Sequence, residues 1–411
     1  MIPSGRTAGM PEILIVARSG WPFPSPPGGA DAVAIRQALA LAKQGLGVAL
    51  VGQGALPPDD VPGSLTLVPA GVGRSIASRS QAGYYFKVLA LSVLAGLRGV
   101  AFLREHPSIR VVHCHHSVIV GLFRAFAPER PLVLTVHDNP YSPSDPCSSG
   151  VERAVRILNN RLLERFGVDR ADAVVAVSPE VAVRLGAWGV PSSRITEIWP
   201  TAAERSADVP RNPDRDPGLR PQAPYLLSVG DLTGRKRMDI LVRALGSLPS
   251  ELKLVVVGRG PRRVELEQLI RSLHLEDRVT IHEYVSDEMM FDLQRRATAG
   301  VLVSEREGLP TSLIEAVSVG TPSLYVTTRR VTVPNTEPFL VHRETSDPGQ
   351  VAAAVQQIWD GLTHGEITRE SVSAWAQRTF PTADSAARTL VELYASLERS
   401  RGLQPTAAGM R

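Results

Sequence analysis

Two carboxylates and a proline-containing turn stand out in the segment SEREGLPTSLIEAVSVG, residues 304–320. Glu307 lies in the turn, and Glu315 lies in a run with helical apolar spacing that starts with Pro310 as its expected first residue. Thr311 and Glu315 are one turn apart, so both should face the preceding loop. The amides of a helix N-terminus suit a phosphate, whereas carboxylates suit sugar hydroxyls. A surface helix with two solvated acids is the alternative interpretation.

The composition indicates a globular protein with more than one domain. The chain has 411 residues, of which 43% are hydrophobic and 21% charged, and its net charge is +4. Chains longer than about 300 residues usually divide into domains. The small positive excess suits an anionic ligand or a membrane surface and is too weak to indicate nucleic acid. Two cysteines without motif spacing, and an N-terminus without an apolar signal segment, predict a cytoplasmic protein.

Two sets of short β-rich runs alternate with helical patterns, which predicts an α/β protein with two Rossmann-like domains, each a mostly parallel sheet flanked by helices. The runs of the first set are 12–17, 47–52, 110–115, 131–138 and 171–178, and those of the second are 225–230, 253–258, 278–284, 300–304 and 322–326. The expected divisions are an N-terminal domain over 1–210, a proline-rich linker over 211–223, a C-terminal domain over 224–382, a helix over 383–399 with the option of packing back on the first domain, and a disordered tail over 400–411.

Ordered motifs in the second half resemble a known family. The segments VGDLTGRKRMDILVRAL, VVVGRGPRRVELEQLIRSLHLEDRVTIHEYVSDEMM and VSEREGLPTSLIEAVSVGTPS follow one another. Weaker matches in the first half are PPGGADAV, VVHCHH, LTVHD and ADAVVAVSP. Together they resemble the retaining glycosyltransferases with two facing Rossmann-like domains, the GT-B fold, and among them the glycogen-synthase-like family 4, also called glycosyl transferases group 1. The resemblance extends from about Ile13 to Leu397.

The resemblance implies a role for each matching position. Glu307 would contact the transferred sugar near its anomeric centre, and Glu315 would bind the nucleotide ribose. Lys236, with Arg235 beside it, would neutralise the leaving diphosphate, and His137 would reach the donor sugar. Further positions expected to hold the nucleotide sugar are Gly28, Gly29, Gly308, Leu309, Thr311 and Ser312.

The same resemblance implies that a hexose-like sugar passes, with retention, from a UDP- or GDP-linked donor to a hydroxyl-bearing acceptor, without a metal or another cofactor. The acceptor would be a glycan, a lipid-linked molecule or a small natural product. In this family the leaving phosphate takes the acceptor proton, so the protein positions the reactants and stabilises negative charge.

Two other functions stay open on the sequence alone. One is an epimerase or hydrolase of the same fold, and the other is a catalytically silent nucleotide-sugar-binding protein. Asp231 replaces a usual arginine and Glu283 a common glycine, which favours the silent protein. An ion pair of Asp231 with Arg235 or Arg237 would offset the first change.

Several local motifs fit other common sites poorly. GRGPRR at 258–263 lacks the third glycine of a dinucleotide fingerprint, and GDLTGRKR at 230–237 lacks the hydroxyl residue of a phosphate loop. HCHH at 113–116 lacks the spacing of a helical zinc site, which favours a structural or acceptor-cleft role, and DRD at 214–216 lies in the linker.

The apolar run within 84–103 is too short to span a bilayer. A packed helix of the first domain is expected instead. Contact with the inner face of an anionic membrane stays open because cations surround the run. These cations are Arg74, Arg79, Lys87, Arg98 and Arg104.

Overall fold

The computed structural model describes residues 10–17, 29–52, 62–70, 81–137, 163–201, 224–305, 310–328 and 339–402. The chain divides into two compact units, of which the first comprises Met1–Trp199 with Ala383–Arg411 and the second comprises Pro200–Thr382. The predicted linker over 211–223 lies outside the described residues, as does most of the predicted tail.

In the described part of the first unit, seven parallel strands form a sheet in the order β3-β2-β1-β4-β5-β6-β7. The strands are β1 (Ile13–Val16), β2 (Val48–Gly52), β3 (Leu65–Pro69), β4 (Val111–Cys114), β5 (Leu132–Val136), β6 (Ala173–Ala176) and β7 (Ile195–Glu197). The helices between them are α1 (Gly29–Lys43), α2 (Gln81–Glu105), α3 (Ser117–Phe126), α4 (Arg165–Arg170) and α5 (Pro179–Ala187). The five central strands are buried along their whole length, as expected for a sheet covered on both faces.

Among the residues described for the second unit, six parallel strands form a sheet in the order β10-β9-β8-β11-β12-β13. The strands are β8 (Tyr225–Val229), β9 (Lys253–Val257), β10 (Val279–His282), β11 (Ala299–Ser304), β12 (Ser323–Thr327) and β13 (Leu340–Glu344). The helices are α6 (Met238–Leu245), α7 (Arg263–Ser272), α8 (Asp287–Arg296), α9 (Thr311–Ser318), α10 (Pro348–Thr363) and α11 (Arg369–Thr379).

The last helix, α12 (Ala383–Ser400), belongs to the first unit, although the chain reaches it after the second. Its apolar residues recur with helical spacing, and Leu390 and Tyr394 are buried in one cluster with residues of α1. At its end, Glu398 pairs with Arg110 at 3.2 Å. Helix α12 therefore closes the core of the first unit.

The prediction of two Rossmann-like domains is confirmed, and every predicted strand is present. Three strands were not predicted: β3, β7 and β13. The predicted apolar helix over 84–103 lies within α2. None of the helices in the described ranges is both long and apolar enough to cross a membrane.

Candidate active site

The strand order of each sheet reverses once, between β1 and β4 in the first unit and between β8 and β11 in the second. Ligands of such sheets bind at the carboxyl ends of the strands where the order reverses. In the second unit, the backbone carbonyl of Arg235 accepts hydrogen bonds from Glu305 N at 2.8 Å and from Ser304 Oγ at 3.2 Å. The 3-10 turn Gly234–Lys236, which follows β8, is thereby attached to the end of β11.

Lys236 is a buried cation at the end of β8. Its side chain is 9% exposed. A β-carbon built on Gly230 would lie 3.3 Å from the Cε atom and 3.4 Å from the Nζ atom of Lys236. The absence of a side chain at Gly230 therefore leaves room for the end of the Lys236 side chain.

The backbone of the motif GRGPRR packs closely against the backbone of the loop that follows β8. A β-carbon on Gly258 would collide with the carbonyl oxygen of Gly230, and one on Gly260 would collide with that of Leu232. Leu232 N also donates to Arg259 O at 2.9 Å. The two glycines thus let the loop after β9 support the loop after β8, which carries the lysine.

The expected ion pair of Asp231 with Arg235 or Arg237 is wrong. Arg237 instead binds Asp239 through two hydrogen bonds of 3.1 and 3.0 Å, which raise the pKa of Arg237. Asp231 is exposed, and its carboxylate has no hydrogen-bond or ion-pair partner in the part of the chain that the structure describes. The repulsion that Asp231 would exert on a diphosphate is therefore weakened by solvent and not by a neighbouring arginine.

The other departure from the family pattern, Glu283, does have a cationic neighbour. Its carboxylate lies 3.2 Å from the guanidinium of Arg263 and is 66% exposed. The added negative charge is therefore partly balanced and screened by water.

Helix α9 presents its N-terminus to the same strand end. Pro310 is the N-cap and not the first helical residue as expected, because its carbonyl accepts the first intrahelical bond, from Leu313 N at 3.0 Å. The amides of Thr311 and Ser312 precede that bond, so they are not used inside the helix. Ser312 Oγ donates to Val229 O at 3.5 Å. The N-terminus of α9 and Lys236 thus both lie at the carboxyl end of β8.

Glu315 is held by a residue that the sequence analysis missed. The amide of Gln294, on α8, donates to Glu315 Oε2 at 2.9 Å. Gln294 is 3% exposed. Thr321 Oγ1 donates to the backbone carbonyl of Gln294 at 2.6 Å, and Arg369 donates to the same hydroxyl at 2.8 Å. A buried glutamine needs a partner, so its polar side chain on an otherwise apolar helix face was the available signal.

The first unit brings two histidines together where β4 and β5 end. His115 follows β4 and His137 follows β5, and these strands are neighbours. His115 Nδ1 lies 2.9 Å from His137 Nε2. Helix α1 begins at Gly29, after β1. His115 therefore lies at one of the two strand ends where the order of this sheet reverses, and His137 lies at the neighbouring strand end.

His113 has a structural position beneath this pair. Its ring nitrogens lie 2.6 Å from Tyr394 Oη and 2.6 Å from Thr135 Oγ1. Burial lowers the pKa of His113 to about 3. A neutral ring therefore joins β4, β5 and α12. Among the described residues, no three His, Cys, Asp or Glu side chains are grouped to hold a metal ion.

Four predicted site residues lie outside the described residues: Gly28, Glu307, Gly308 and Leu309. Their assigned roles remain predictions.

Two family models match the chain. Glycosyltransferase Family 4 matches residues 27–201, and Glycosyl transferases group 1 matches residues 211–361. The N-acetyl-alpha-D-glucosaminyl L-malate synthase of Bacillus anthracis is 26% identical over 66% of this chain and 72% of its own length. The D-inositol 3-phosphate glycosyltransferase of Xylanimonas cellulosilytica is 29% identical over 65% of this chain and 61% of its own length, which is less than two thirds of that relative.

Solved structures share the fold at lower identity. Sucrose-phosphate synthase from Thermosynechococcus elongatus has a TM-score of 0.73 and 19% identity, covering 95% of this chain and 100% of that one. Anabaena HepE, in complex with UDP-glucose, has a TM-score of 0.65 and 18% identity, covering 94% and 99%. The fold is therefore the GT-B fold of glycosyltransferases. Within that class, the chain belongs to glycosyl transferases group 1, with the first half matching family 4, as the sequence motifs predicted.

Proposed function

We propose that this glycosyltransferase transfers a hexose-like sugar from a nucleoside diphosphate sugar to a hydroxyl-bearing acceptor, with retention of the anomeric configuration. The observation that carries the proposal is the buried Lys236 beside the N-terminus of α9, at the carboxyl end of β8. A cation and helix-terminal amides together suit a diphosphate. The complex of Anabaena HepE with UDP-glucose supports a uridine-linked donor, and a GDP-linked donor is the second choice.

In the proposed reaction the protein binds and positions, and no protein nucleophile is required. Lys236 stabilises the charge of the leaving diphosphate, and Glu315, held by Gln294, binds the ribose. Glu307 and His137 contact the transferred sugar. The leaving phosphate takes the proton of the acceptor on the same face, so the acceptor oxygen forms a bond to the anomeric carbon as the bond to the phosphate breaks.

We further propose that turnover needs no divalent ion, because Lys236 and the amides of Thr311 and Ser312 supply the charge neutralisation that a metal gives in other sites. The test is to measure the rate of sugar transfer in the presence and in the absence of a chelator. Unchanged rates are expected, and complete loss that magnesium or manganese restores would contradict this part of the proposal.

For the acceptor, the names of two relatives suggest where to begin. One is named for L-malate and the other for D-inositol 3-phosphate, which are both small anionic alcohols. An acceptor panel should therefore start with hydroxy acids and polyol phosphates, followed by glycans and lipid-linked sugars.

The donor is tested by thermal shift against nucleoside diphosphates and their sugars, since a ligand that binds only the native state raises Tm. The best donor is then incubated with the acceptor panel, and the anomeric configuration of the product is read by NMR. We expect a product that keeps the configuration of the donor.

Two results would favour the other functions. Free sugar or an epimer formed without acceptor would indicate a hydrolase or epimerase. Donor binding without turnover on any acceptor would indicate a silent binding protein.

We also propose that the protein is cytoplasmic and contacts the inner face of the membrane through α2 and α3. Leu94 and Leu97 on α2 are 40% and 46% exposed, and Phe126 on α3 is 50% exposed. Arg98 and Arg104 are exposed on α2, and the guanidinium of Arg104 lies 5.9 Å from the ring centre of Phe126. Apolar side chains beside cations suit an anionic lipid surface.

Sedimentation with vesicles tests this contact. Binding should require phosphatidylglycerol and should weaken in the double variant Leu94→Ser with Leu97→Ser. Val264→Ser on α7, an equally apolar position that is 60% exposed, is the matched control and should bind as the wild type does. Equal binding by all proteins, or none by the wild type, would contradict the proposed contact.

A further inference from the structure

The contact between His115 and His137 joins two strand ends. The backbone of His115 is fixed to β1, because its N–H donates to Val16 O at 3.0 Å. The side chain of His115 is buried, with 3% exposure, whereas that of His137 is half-buried. The Nδ1 atom of His115 lies 2.9 Å from the Nε2 atom of His137. A buried, fixed ring therefore contacts the more accessible one through a single pair of nitrogens.

The second ring nitrogen of His115, Nε2, is buried and has no hydrogen-bond partner in the described part of the chain. The ring of His113 packs beside it, with centroids 4.7 Å apart. That neighbour offers no hydrogen bond, since both of its nitrogens are engaged by Tyr394 and Thr135. The side-chain hydrogen bonding of His115 within the described residues is thus directed at His137 alone.

The position of the proton on His115 follows from this asymmetry. Burial, with smaller contributions from His113 and His137, lowers the pKa of His115 well below its usual value, so the ring is neutral and carries one proton. A proton on Nε2 would be a buried N–H donor without a partner. A proton on Nδ1 leaves only an unpaired acceptor at Nε2, and orphaned N–H groups are the rarer defect in proteins. The proton therefore lies on Nδ1 and is donated to His137 Nε2.

We propose that His115 is a positioning residue that holds His137 as a neutral imidazole with its proton on Nδ1. Because His137 Nε2 accepts the hydrogen bond, the proton of a neutral His137 must be on Nδ1. A doubly protonated His137 would place its own Nε2–H against the Nδ1–H of His115. The ring would then meet a sugar oxygen as a hydrogen-bond donor. This last step rests on the proposed function, in which His137 contacts the donor sugar.

The wild-type protein provides the first test, which does not depend on activity. Long-range ¹H–¹⁵N NMR of protein labelled at histidine distinguishes the two neutral tautomers and the cation for each ring. At pH 7 we expect His137 as the Nδ1–H tautomer and His115 likewise. A His137 that is protonated on Nε2, or doubly protonated, would overturn the proposal.

Two substitutions of His115 then separate positioning from packing. In His115→Asn the side-chain amide takes the approximate place of Nδ1 and can still donate, so the His137 tautomer should be kept. In His115→Leu the bond is lost, so His137 should become a mixture of tautomers. With the donor sugar, kcat/KM should fall by about tenfold in the leucine variant, the effect of losing one hydrogen bond of about 1.4 kcal/mol, and should recover in the asparagine variant.

Tyr394→Phe is the matched control, because it removes a buried hydrogen bond from His113 and leaves the contact between His115 and His137 in place. It should lower Tm and leave the His137 tautomer unchanged. A changed tautomer in this control, or an unchanged one in His115→Leu, would contradict direct positioning. A fixed tautomer together with full activity of His137→Ala would leave the positioning intact and remove the contact of His137 with the donor sugar.

Discussion

Lys236 and Arg235 are consecutive cations with different surroundings. Lys236 is buried against Gly230, whereas the side chain of Arg235 is half-buried and its backbone carbonyl is fixed by Glu305 and Ser304. The position of Lys236 is therefore set by the packing of its side chain against Gly230, and the position of Arg235 is set by the hydrogen bonds to its backbone carbonyl. Which of the two charges supports the leaving diphosphate can be measured directly.

Removing the charge of Lys236 should damage catalysis most. We expect Lys236→Met to lower kcat/KM by about 100- to 1000-fold, because a preorganised charge at a developing anion has that value. If Arg235 shares the neutralisation of the diphosphate with Lys236, as the resemblance implies, the loss in Arg235→Met should approach the loss in Lys236→Met. Lys253→Met, at an exposed lysine of β9, is the control. Near-normal kinetics of Arg235→Met would leave Lys236 as the working cation, and near-normal kinetics of Lys236→Met would contradict its role.

Gln294 should affect donor binding and not turnover. Its amide donates to one oxygen of Glu315 at 2.9 Å, so Gln294→Leu should remove that hydrogen bond and raise the KM for the donor by about tenfold at unchanged kcat, as expected when a ground-state contact is lost. Gln356→Leu, which removes a half-buried glutamine that donates to Asp360 at 2.8 Å, is the matched control. An unchanged KM, or an equal loss in the control, would show that Gln294 does not position Glu315.

At the scale of elements, the end of α8 is fixed by α11 and by the turn after α9. Arg369, the first residue of α11, donates to the carbonyls of Arg295 and Ala297 at 2.7 Å each. The turn at Gly320 has φ of +88°, and a β-carbon there would lie 2.7 Å from the carbonyl oxygen of Arg369. Gly320 therefore combines a left-handed backbone with a close approach between elements.

Gly320→Ala should destabilise the second unit by about 2–3 kcal/mol, because a left-handed alanine is strained and its methyl group must displace Arg369. Gly365→Ala isolates the first cause, since that glycine has φ of +74° and open space around it. It should cost only about 1 kcal/mol. Urea unfolding measures the loss of unfolding free energy in both variants. Equal losses would show that the close contact between Gly320 and Arg369 of α11 does not contribute to the cost of Gly320→Ala.

Most of the strands that the sequence predicted are buried along most of their length, and the partly exposed edge strand β10 is the exception. The missed strands β3, β7 and β13 lie at sheet edges, where the residues are partly exposed and the apolar run is interrupted. The candidate site divides similarly. Lys236 and Glu315 were found by their motifs, but the bond from Gln294 joins residues 21 positions apart and follows from the packing of α8 beside α9.

The protonation of buried histidines could not be predicted either. HCHH gave no sign that His113 is joined to Tyr394, 281 positions away, because that contact exists only when α12 returns to the first unit. His113 and His115 are two positions apart and lie on the same face of the sheet, so their different partners follow from their positions along the chain. His113 lies within β4 and contacts Tyr394 and Thr135, whereas His115 lies just beyond β4 and contacts His137.

At the scale of the whole molecule, two buried histidines make the first unit sensitive to acid. His113 and His115 both have strongly lowered pKa values and both lie in this unit. Each is buried and neutral in the folded protein, whereas in the unfolded chain it binds a proton near pH 6.5. The unfolded first unit therefore holds more protons than the folded one at mildly acidic pH.

The first unit should consequently lose stability in acid. The contribution of the neutral buried histidines to the unfolding free energy is complete above pH 6.5. It falls as the pH decreases toward 3, since His113 is protonated in the folded protein only at about that pH. Each histidine adds a slope of about 1.4 kcal/mol per pH unit. Hydrogen exchange read by mass spectrometry as a function of pH localises the loss, and faster exchange is expected in β4, β5 and α12.

The variant His113→Asn keeps a polar group near Tyr394 but cannot titrate. The slope of its unfolding free energy against pH should therefore be smaller than that of the wild type, by the amount that one bound proton contributes. A wild-type slope in His113→Asn, or uniform loss of protection in both units between pH 7 and pH 4, would show that the buried histidines do not set the acid response.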